Sequence, residues 1–174
     1  MPNHYQEPMG SQYGRGDNQH RADASTHRGH NPDQQEPAPL LPELLPLFKN
    51  EELNVDIFKQ DYLEKIAASV KNVSRSQMRR LFGELKKYKF YIEKGKKYEQ
   101  IYPHILMEKA KLSYLCKRMT EKDRKNALYY TNLKTLVFKL IDMCNSSQAY
   151  IAFVTFFEAM FGYYFEVSKP EGRQ

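Results

Sequence analysis

Residues 73–88 have the sequence VSRSQMRRLFGELKKY, which predicts an amphipathic helix with a basic outer face. Ser74 and Gln77 have the Ser-x-x-Gln spacing of a capping box, in which each residue satisfies a free backbone N–H at the start of a helix. An apolar stripe follows at helical spacing: Met78, Leu81, Phe82 and Leu85. Basic side chains fall outside that stripe: Arg75, Arg79, Lys86 and Lys87. A helix that is apolar on one side and cationic on the other favours a polyanionic partner.

Similar patterns continue along the chain and predict five helices. The first has Asn54 or Asp56 as its N-cap. The second covers about residues 75–93 and ends at Gly95, a typical C-terminal cap. The remaining three cover about residues 97–119, 123–144 and 148–166. The last is apolar on nearly every side, which is typical of a buried helix or a protein interface. Alternating strand patterns and Asn-Gly or Asp-Gly hairpin turns are missing, so the sequence predicts an all-α fold, a single compact bundle.

The chain is predicted to consist of a disordered polar and Pro-rich tail (1–48), a helical domain (49–168) and a C-terminal tail (169–174). Residues 1–37 are too poor in aliphatic side chains to offset the entropy that the chain would lose on folding. Residues 40–48, LLPELLPLF, are apolar, but their prolines disfavour a regular helix. This segment is expected either to lie on the surface of its own domain or to dock into a partner.

The positive charge is concentrated in the predicted domain. The whole chain has 27 Lys and Arg against 21 Asp and Glu, a formal charge of +6. Residues 1–48 hold three Arg and six acidic side chains, a charge of −3, which leaves +9 for residues 49–174. This distribution favours RNA, DNA or another anionic partner, and the alternative is a basic surface that is merely solvated.

Neither membrane insertion nor secretion is expected. The chain has no apolar run of about 18 residues or more, and its N-terminus lacks the apolar region of a signal peptide. Cys116 and Cys144 both lie within helical apolar patterns, which is typical of buried free thiols, although a structural disulfide is the alternative. We therefore expect a cytoplasmic location.

No combination of residues suited to catalysis is recognisable. His104 is the one histidine of the predicted domain, and no arginine precedes it as in a helical Arg-x(4–6)-His ribonuclease site. Phosphate-binding loops, His-Glu-x-x-His and Cys-x-x-Cys are also missing. Glu158 lies in the apolar last helix, where such a carboxylate usually pairs with a basic residue, and Arg80 is the candidate. His27 and His30 suggest a metal site only weakly, because the polar tail around them lacks a rigid frame. We expect no enzymatic activity, no cofactor and no metal.

Two basic clusters dominate the predicted domain. Ten Lys or Arg lie between residues 71 and 97 against two acids, and seven lie between residues 109 and 125 against two acids. The arginines can bind phosphate in a bidentate manner, and interleaved aromatic side chains can stack on unpaired bases: Tyr88, Phe90, Tyr91 and Tyr98. Long lysine side chains suit the phosphate backbone, so we expect binding that is independent of sequence and sensitive to salt.

Over about residues 54–166 the chain resembles the small subunit of type III-A CRISPR (Csm) effector complexes. Residues 74–82, SRSQMRRLF, are similar to that family's Ser-Gln-hydrophobic-Arg-Lys/Arg helix start. Residues 110–118, AKLSYLCKR, resemble its Ala/Tyr-rich third helix. Residues 153–164, FVTFFEAMFGYY, resemble its closing helix. The three blocks occur in the order that the family has.

The resemblance implies an all-α bundle of about five helices without enzymatic activity. Such subunits lie beside the backbone subunits and neighbouring copies of themselves, and they hold the CRISPR RNA and the target RNA paired with it. Target cleavage belongs to the backbone subunits, and cyclic oligoadenylate synthesis and DNase activity belong to the large subunit. Three residues match the family's basic residues by position: Arg79, Arg80 and Arg118. Charge and helix phase add five candidate RNA-binding residues: Arg75, Lys86, Lys87, Lys117 and Lys125. The predicted tail is long for the family.

Two other functions fit part of the pattern. A helical DNA-binding regulator could use the first two helices, joined by residues 71–73, as a helix-turn-helix with Ser76 and Arg79 at base edges. Such a regulator would prefer one duplex site, whereas the small subunit should show little sequence preference. A purely structural adaptor would instead pair its lysines with acidic partners, and its RNA affinity would not fall steeply with salt.

Overall fold

In the computed structural model, which describes residues 39–169, five α-helices form the domain. The helices are α1 (Gln60–Ser69), α2 (Arg75–Glu93), α3 (Tyr98–Lys122), α4 (Ala127–Asp142) and α5 (Ser147–Val167). Short 3-10 helices, Val55–Phe58 and Arg124–Asn126, precede α1 and α4. The predicted all-α bundle of five helices is confirmed. Within the described residues, no helix is long and apolar enough to cross a membrane.

Side chains cap the starts of two segments as their residue types predict. The Asn54 side chain accepts a hydrogen bond from the Asp56 N–H at 3.2 Å and caps the 3-10 helix that precedes α1. The N-cap of α1 itself is Lys59, which makes no side-chain cap bond, so the prediction of Asn54 or Asp56 at that position is wrong. Ser146 accepts from the Ala149 N–H at 3.2 Å at the start of α5. Beyond the end of α2, Gly95 has φ +86°, which a residue without Cβ adopts at little cost. The cap residue types therefore set these boundaries locally.

The predicted capping box of α2 is only half formed. Ser74 accepts from the Gln77 N–H at 3.4 Å, as expected. Gln77 does not return the bond, because the Ser74 N–H donates to the Tyr130 hydroxyl at 3.3 Å. The Gln77 amide nitrogen lies instead 3.4 Å from the sulfur of Met119. A tertiary contact from α4 has thus replaced the local one.

A small hairpin precedes the helices and was not predicted. Its strands, β1 (Phe48–Lys49) and β2 (Glu52–Leu53), pair antiparallel, with the first residue of β1 opposite the last residue of β2. The turn residues Asn50 and Glu51 have φ values of +51° and +66°, as a two-residue type I′ turn requires. Glycine is usual at the second position, and with glutamate there the sequence lacks the typical hairpin signal.

The Pro-interrupted segment before the hairpin lies on its own domain. Leu47 is buried, and three other leucines pack against the core: Leu41, Leu44 and Leu45. The Pro46 carbonyl accepts from the Asn54 side-chain amide at 2.8 Å. This confirms the first of the two expectations for residues 40–48. The packed domain therefore starts ahead of residue 49, where the sequence placed its boundary. The rest of the predicted N-terminal tail, residues 1–38, and residues 170–174 lie outside the described residues.

Helix α5 is largely buried, as its apolar sequence predicts. It packs against α1 and α2, while α3 packs against α4 and also contacts α2. Five of its eight aromatic side chains are almost completely buried: Tyr150, Phe153, Phe156, Phe157 and Tyr164. The Tyr150 hydroxyl donates to the Leu85 carbonyl at 3.1 Å, and the Tyr164 hydroxyl donates to the Val73 carbonyl at 2.6 Å. Each buried hydroxyl thus has the partner that its burial demands.

Both cysteines are buried free thiols, as predicted. The Cys116 thiol donates to the Tyr130 carbonyl at 3.2 Å, and the Cys144 thiol donates to the Leu140 carbonyl at 3.1 Å. Burial raises the pKa of Cys116 to about 11 and the pKa of Cys144 to about 12. Both side chains therefore act as small core residues at neutral pH.

Candidate nucleic-acid interface

A groove between α2 and α3, the α2–α3 groove, includes two of the predicted site residues, Arg80 and Arg118, in its lining. Its volume is about 270 Å³. Three leucines from the two helices contribute its apolar lining: Leu81, Leu112 and Leu115. Polar and charged side chains from both helices complete it: Gln77, Arg80, Glu84, Glu108, Lys111, Tyr114 and Arg118.

Arg80 and Arg118 are brought together by this groove. Arg80 lies one helical turn before Glu84 on α2, and Arg118 lies one turn after Tyr114 on α3, and all four side chains line the groove between the two helices. Both arginines are exposed. Among the described residues, no carboxylate lies within ion-pair distance of either one. Two predicted site residues that are distant in the sequence therefore line one cationic groove.

Arg75 and Arg79 lie on the other side of α2, next to the end of α5. The guanidinium of Arg79 lies 5.0 Å from the ring centroid of Phe165, and that of Arg75 lies 5.1 Å from the same ring. Arg75 also donates to the Phe165 carbonyl at 2.9 Å and to the Ser168 hydroxyl at 2.8 Å. Arg75 thus satisfies a free carbonyl at the C-terminal end of α5. The structure gives its guanidinium a role within the fold.

Glu158 has a different position and partner from those predicted. It is exposed, and the Lys86 ammonium lies 3.0 Å from its carboxylate. The expected pair with Arg80 is wrong, because Arg80 faces α3 while Glu158 lies on the side of α5 that meets the C-terminal half of α2. An exposed carboxylate paired with a lysine has no signature of a general acid.

The remaining predicted lysines lie on the surface. Lys87 is 3.9 Å from Glu84, and Lys117 is 3.0 Å from Glu121, each within one helix. Exposed pairs of this kind contribute about 0–1 kcal/mol and are screened by salt. Lys125 is exposed in the 3-10 helix before α4. A phosphate can therefore replace the glutamate that is paired with Lys87 or with Lys117 at little cost in free energy.

A buried polar cluster beside the groove was missed by the sequence analysis. Glu108 is 3% exposed, and its carboxylate accepts from the Tyr88 hydroxyl at 3.1 Å and from the Lys111 ammonium at 2.7 Å. Burial, followed by the charge of Glu108, raises the pKa of Tyr88 to about 12. The hydrogen bond with Glu108 raises the pKa of Lys111. The sequence could have predicted the burial of Glu108, because position 108 falls at helical spacing between the apolar residues Ile105 and Leu112 of α3.

The site has cations and hydrogen-bonding groups but no recognisable metal centre. In the part of the chain that the structure describes, no group of three His, Cys, Asp or Glu side chains is placed to hold a metal. His27 and His30 lie outside that part. The arrangement around α2 and α3 can bind anions through arginine and lysine, and it can stack planar groups on exposed aromatic rings.

A comparison with protein-family models matches residues 58–168 to the family described as Csm2 Type III-A. No curated protein and no solved structure matches the chain. The matched residues include all five α-helices. They also include all eight predicted RNA-binding residues, from Arg75 to Lys125.

Proposed function

Because the chain belongs to the Csm2 Type III-A family and is thus a small subunit of the type III-A CRISPR Csm complex, we propose that it binds RNA there without catalysing a reaction. Its ligands in this proposal are the CRISPR RNA and the target RNA paired with it, in antiviral defence. Its protein neighbours are the backbone and large subunits and further copies of itself. It stabilises the paired RNA through contacts with backbone phosphates.

The main support for the proposal is that three basic residues are exposed and available to bind phosphate. Arg79, Arg80 and Arg118 are exposed, and within residues 39–169 none of them is ion-paired with a carboxylate. A guanidinium binds a phosphate through two parallel hydrogen bonds. These arginines can therefore take up phosphates without losing an ion pair within the domain. The resemblance to the family implies the same three residues.

The lysines support a contact that is independent of RNA sequence. Lys86, Lys87 and Lys117 are exposed, and each is ion-paired with a carboxylate that is itself at least one third exposed. Point charges on long flexible side chains position a nucleic acid but do not identify its bases. Arg75 is the candidate least suited to RNA, because Phe165 and Ser168 already bind its guanidinium.

The first prediction tests the three arginines together. The variant Arg79→Gln/Arg80→Gln/Arg118→Gln should bind a short RNA duplex more weakly than the unchanged protein does. The slope of log K against log salt should also become shallower, by about 1 for each phosphate that the variant no longer neutralises. Fluorescence anisotropy over a salt series, with duplexes of unrelated sequence, measures both quantities. The control is Lys65→Gln, since the Lys65 side chain is 69% exposed and lies on α1, outside the two helices that carry the basic clusters.

The possible outcomes separate the three functions. An unchanged affinity and salt slope in the triple variant would show that these arginines do not contact phosphates. If the unchanged protein binds no RNA at any salt concentration, it is a structural adaptor. A preference of orders of magnitude for one DNA duplex would identify a helix-turn-helix regulator. Equal melting temperatures for the variant and the unchanged protein would exclude a loss of fold as the cause.

A further inference from the structure

We infer that the α2–α3 groove binds the base of a single unpaired RNA nucleotide. This inference rests on the proposed function, because it assigns a more specific ligand to the surface that carries Arg80 and Arg118. Four features of the groove support it: its size and apolar lining, an exposed aromatic ring, polar side chains in its lining, and arginines that can hold the attached phosphate.

The size and lining of the groove suit one planar ring system. Its volume of about 270 Å³ lies just below the range of roughly 300–1,000 Å³ that is usual for pockets of drug-sized ligands. Leu81 and Leu112 are 8% and 2% exposed and contribute apolar surface to it. A base has two apolar faces, so it can cover this surface, whereas a bare phosphate would gain nothing from it.

Tyr114 provides a surface for stacking. Its side chain is 69% exposed although it lines the groove, and the guanidinium of Arg118 lies 5.8 Å from its ring centroid. Proteins recognise unpaired RNA bases by stacking them on aromatic rings or on arginine planes. Tyr114 and Arg118 offer both surfaces, one helical turn apart on α3.

The groove also has polar groups for the edge of a base. The Gln77 side-chain oxygen is the one buried side-chain polar atom of the described residues that lacks a hydrogen-bond partner. The Gln77 amide nitrogen has only the Met119 sulfur, at 3.4 Å. Glu84, which also lines the groove, is 3.9 Å from Lys87 and can accept from a base amino group. An amide that both donates and accepts fits a base edge.

The charge of the groove fits the rest of a nucleotide. Glu108 does not repel a phosphate strongly, because the Lys111 ammonium lies 2.7 Å from its carboxylate. Arg80 and Arg118 remain as cations without ion-pair partners among the described residues. The bases of a continuous RNA duplex are stacked and paired, so they cannot enter such a groove. The occupant is therefore an unpaired nucleotide.

The test compares two RNA duplexes that differ only in one bulged nucleotide, 2-aminopurine, whose fluorescence reports stacking. The unchanged protein should bind the bulged duplex about tenfold more tightly than the fully paired one, given the usual contribution of one stacked base. Tyr114→Ala should remove this preference and the change in 2-aminopurine emission, and it should leave the affinity for the paired duplex unchanged. Tyr114→Phe should keep the preference, because the ring is retained.

The control is Phe90→Ala, which removes an aromatic side chain of α2 that is 51% exposed and does not line the groove. This variant should keep the preference for the bulged duplex. Loss of the preference in Phe90→Ala would place the unpaired base on Phe90, one of the rings that the sequence suggests for stacking, and would overturn the assignment to the groove. If the unchanged protein binds both duplexes equally, the inference about the groove fails while the proposed function stands. A Tyr114→Ala variant that weakens both duplexes alike would also overturn it and would assign Tyr114 to a backbone contact. Failure to bind either RNA would overturn the proposed function and this inference together.

Discussion

At the scale of single residues, three arginines close together in the sequence differ in their surroundings. Arg75 and Arg79 share the ring of Phe165, and Arg75 also donates hydrogen bonds to the end of α5, whereas Arg80 lines the α2–α3 groove. The cause is the helical repeat, since each residue turns the side-chain direction by about 100° around the axis. Equal charge in the sequence therefore does not mean equal availability to RNA.

The prediction at this scale concerns the fold and not the RNA. Arg75→Gln should lower the free energy of unfolding by about 1–2 kcal/mol, because its hydrogen bonds to the Phe165 carbonyl and to Ser168 are removed. Arg79→Gln is the matched control. It should change that free energy by less than about 0.5 kcal/mol, as exposed substitutions usually do. Urea denaturation measures both values, and equal values for the two variants would contradict the capping role of Arg75.

At the scale of elements, α2 combines strong end signals with an unfavourable residue in its middle. Its start at Ser74 and the left-handed Gly95 after its end agree with the sequence prediction. Gly83 lies in the helix interior, and a Cβ added there would meet no atom within 4 Å. Glycine inside a helix costs about 0.5–1 kcal/mol relative to alanine. Neither helix propensity nor packing explains Gly83.

A pair of glycine substitutions tests these assignments. Gly83→Ala should raise the free energy of unfolding by about 0.5–1 kcal/mol, because it removes the entropic cost of glycine in a helix. Gly95→Ala should lower it by about 1–2 kcal/mol, because alanine is strained at φ +86°. Thermal denaturation followed by circular dichroism measures both changes. Two shifts of the same sign would contradict the opposite conformational roles of the glycines.

Helix α5 allows a second prediction at this scale. Phe157 is completely buried and its ring centroid lies 6.2 Å from that of Phe153 and 6.1 Å from that of Phe82. Phe157→Ala should cost about 3–5 kcal/mol, because it removes apolar contacts and leaves a cavity. Phe90→Ala, at a half-exposed position of α2, is the control and should cost much less. A small decrease in stability for Phe157→Ala in chemical denaturation would show that α5 is not the packed centre of the bundle.

At the scale of the whole molecule, buried tyrosines join the helices to one another. Tyr150 of α5 donates to α2, Tyr88 of α2 donates to Glu108 of α3, and Tyr98 of α3 donates to the Cys144 carbonyl after α4 at 2.6 Å. Burial is the main cause that raises the pKa of all three, for Tyr88 to about 12. The folded state thus holds these protons more tightly than the unfolded state, in which a tyrosine has a pKa of about 10.

Stability should therefore decrease at alkaline pH. The contribution of Tyr88 is complete below about pH 10 and disappears progressively as the pH rises to about 12, the raised pKa of this residue. The buried thiols Cys116 and Cys144 act in the same direction. The free energy of unfolding measured by urea at several alkaline pH values checks this. Tyr88→Phe should make the decrease shallower, whereas Tyr114→Phe, at an exposed position, should not; identical slopes for the two variants would contradict it.

The sequence by itself determined the features that depend on neighbours along the chain. Cap residues and helical periodicity predict the bounds of α2. The apolar sequence of α5 predicts its burial, and the apolar residues around both cysteines predict buried free thiols. The sequence did not predict the hairpin before α1, because Glu51 occupies a left-handed turn position that glycine usually fills. The family resemblance indicated three of the eight basic residues, and charge and helix phase indicated the other five; their binding of RNA stays a prediction.

Only the tertiary structure decided which of these cations are already engaged and what lies next to them. Because of helix packing, Arg75 donates a hydrogen bond to the end of α5 and Lys86 is ion-paired with Glu158. The same packing places Arg80 and Arg118 in one groove. Periodicity records which face of a helix is buried, but it does not record which helix covers that face or in what register. The physical reason is that such partners come from segments far apart in the sequence, so their contacts exist only once the bundle has formed.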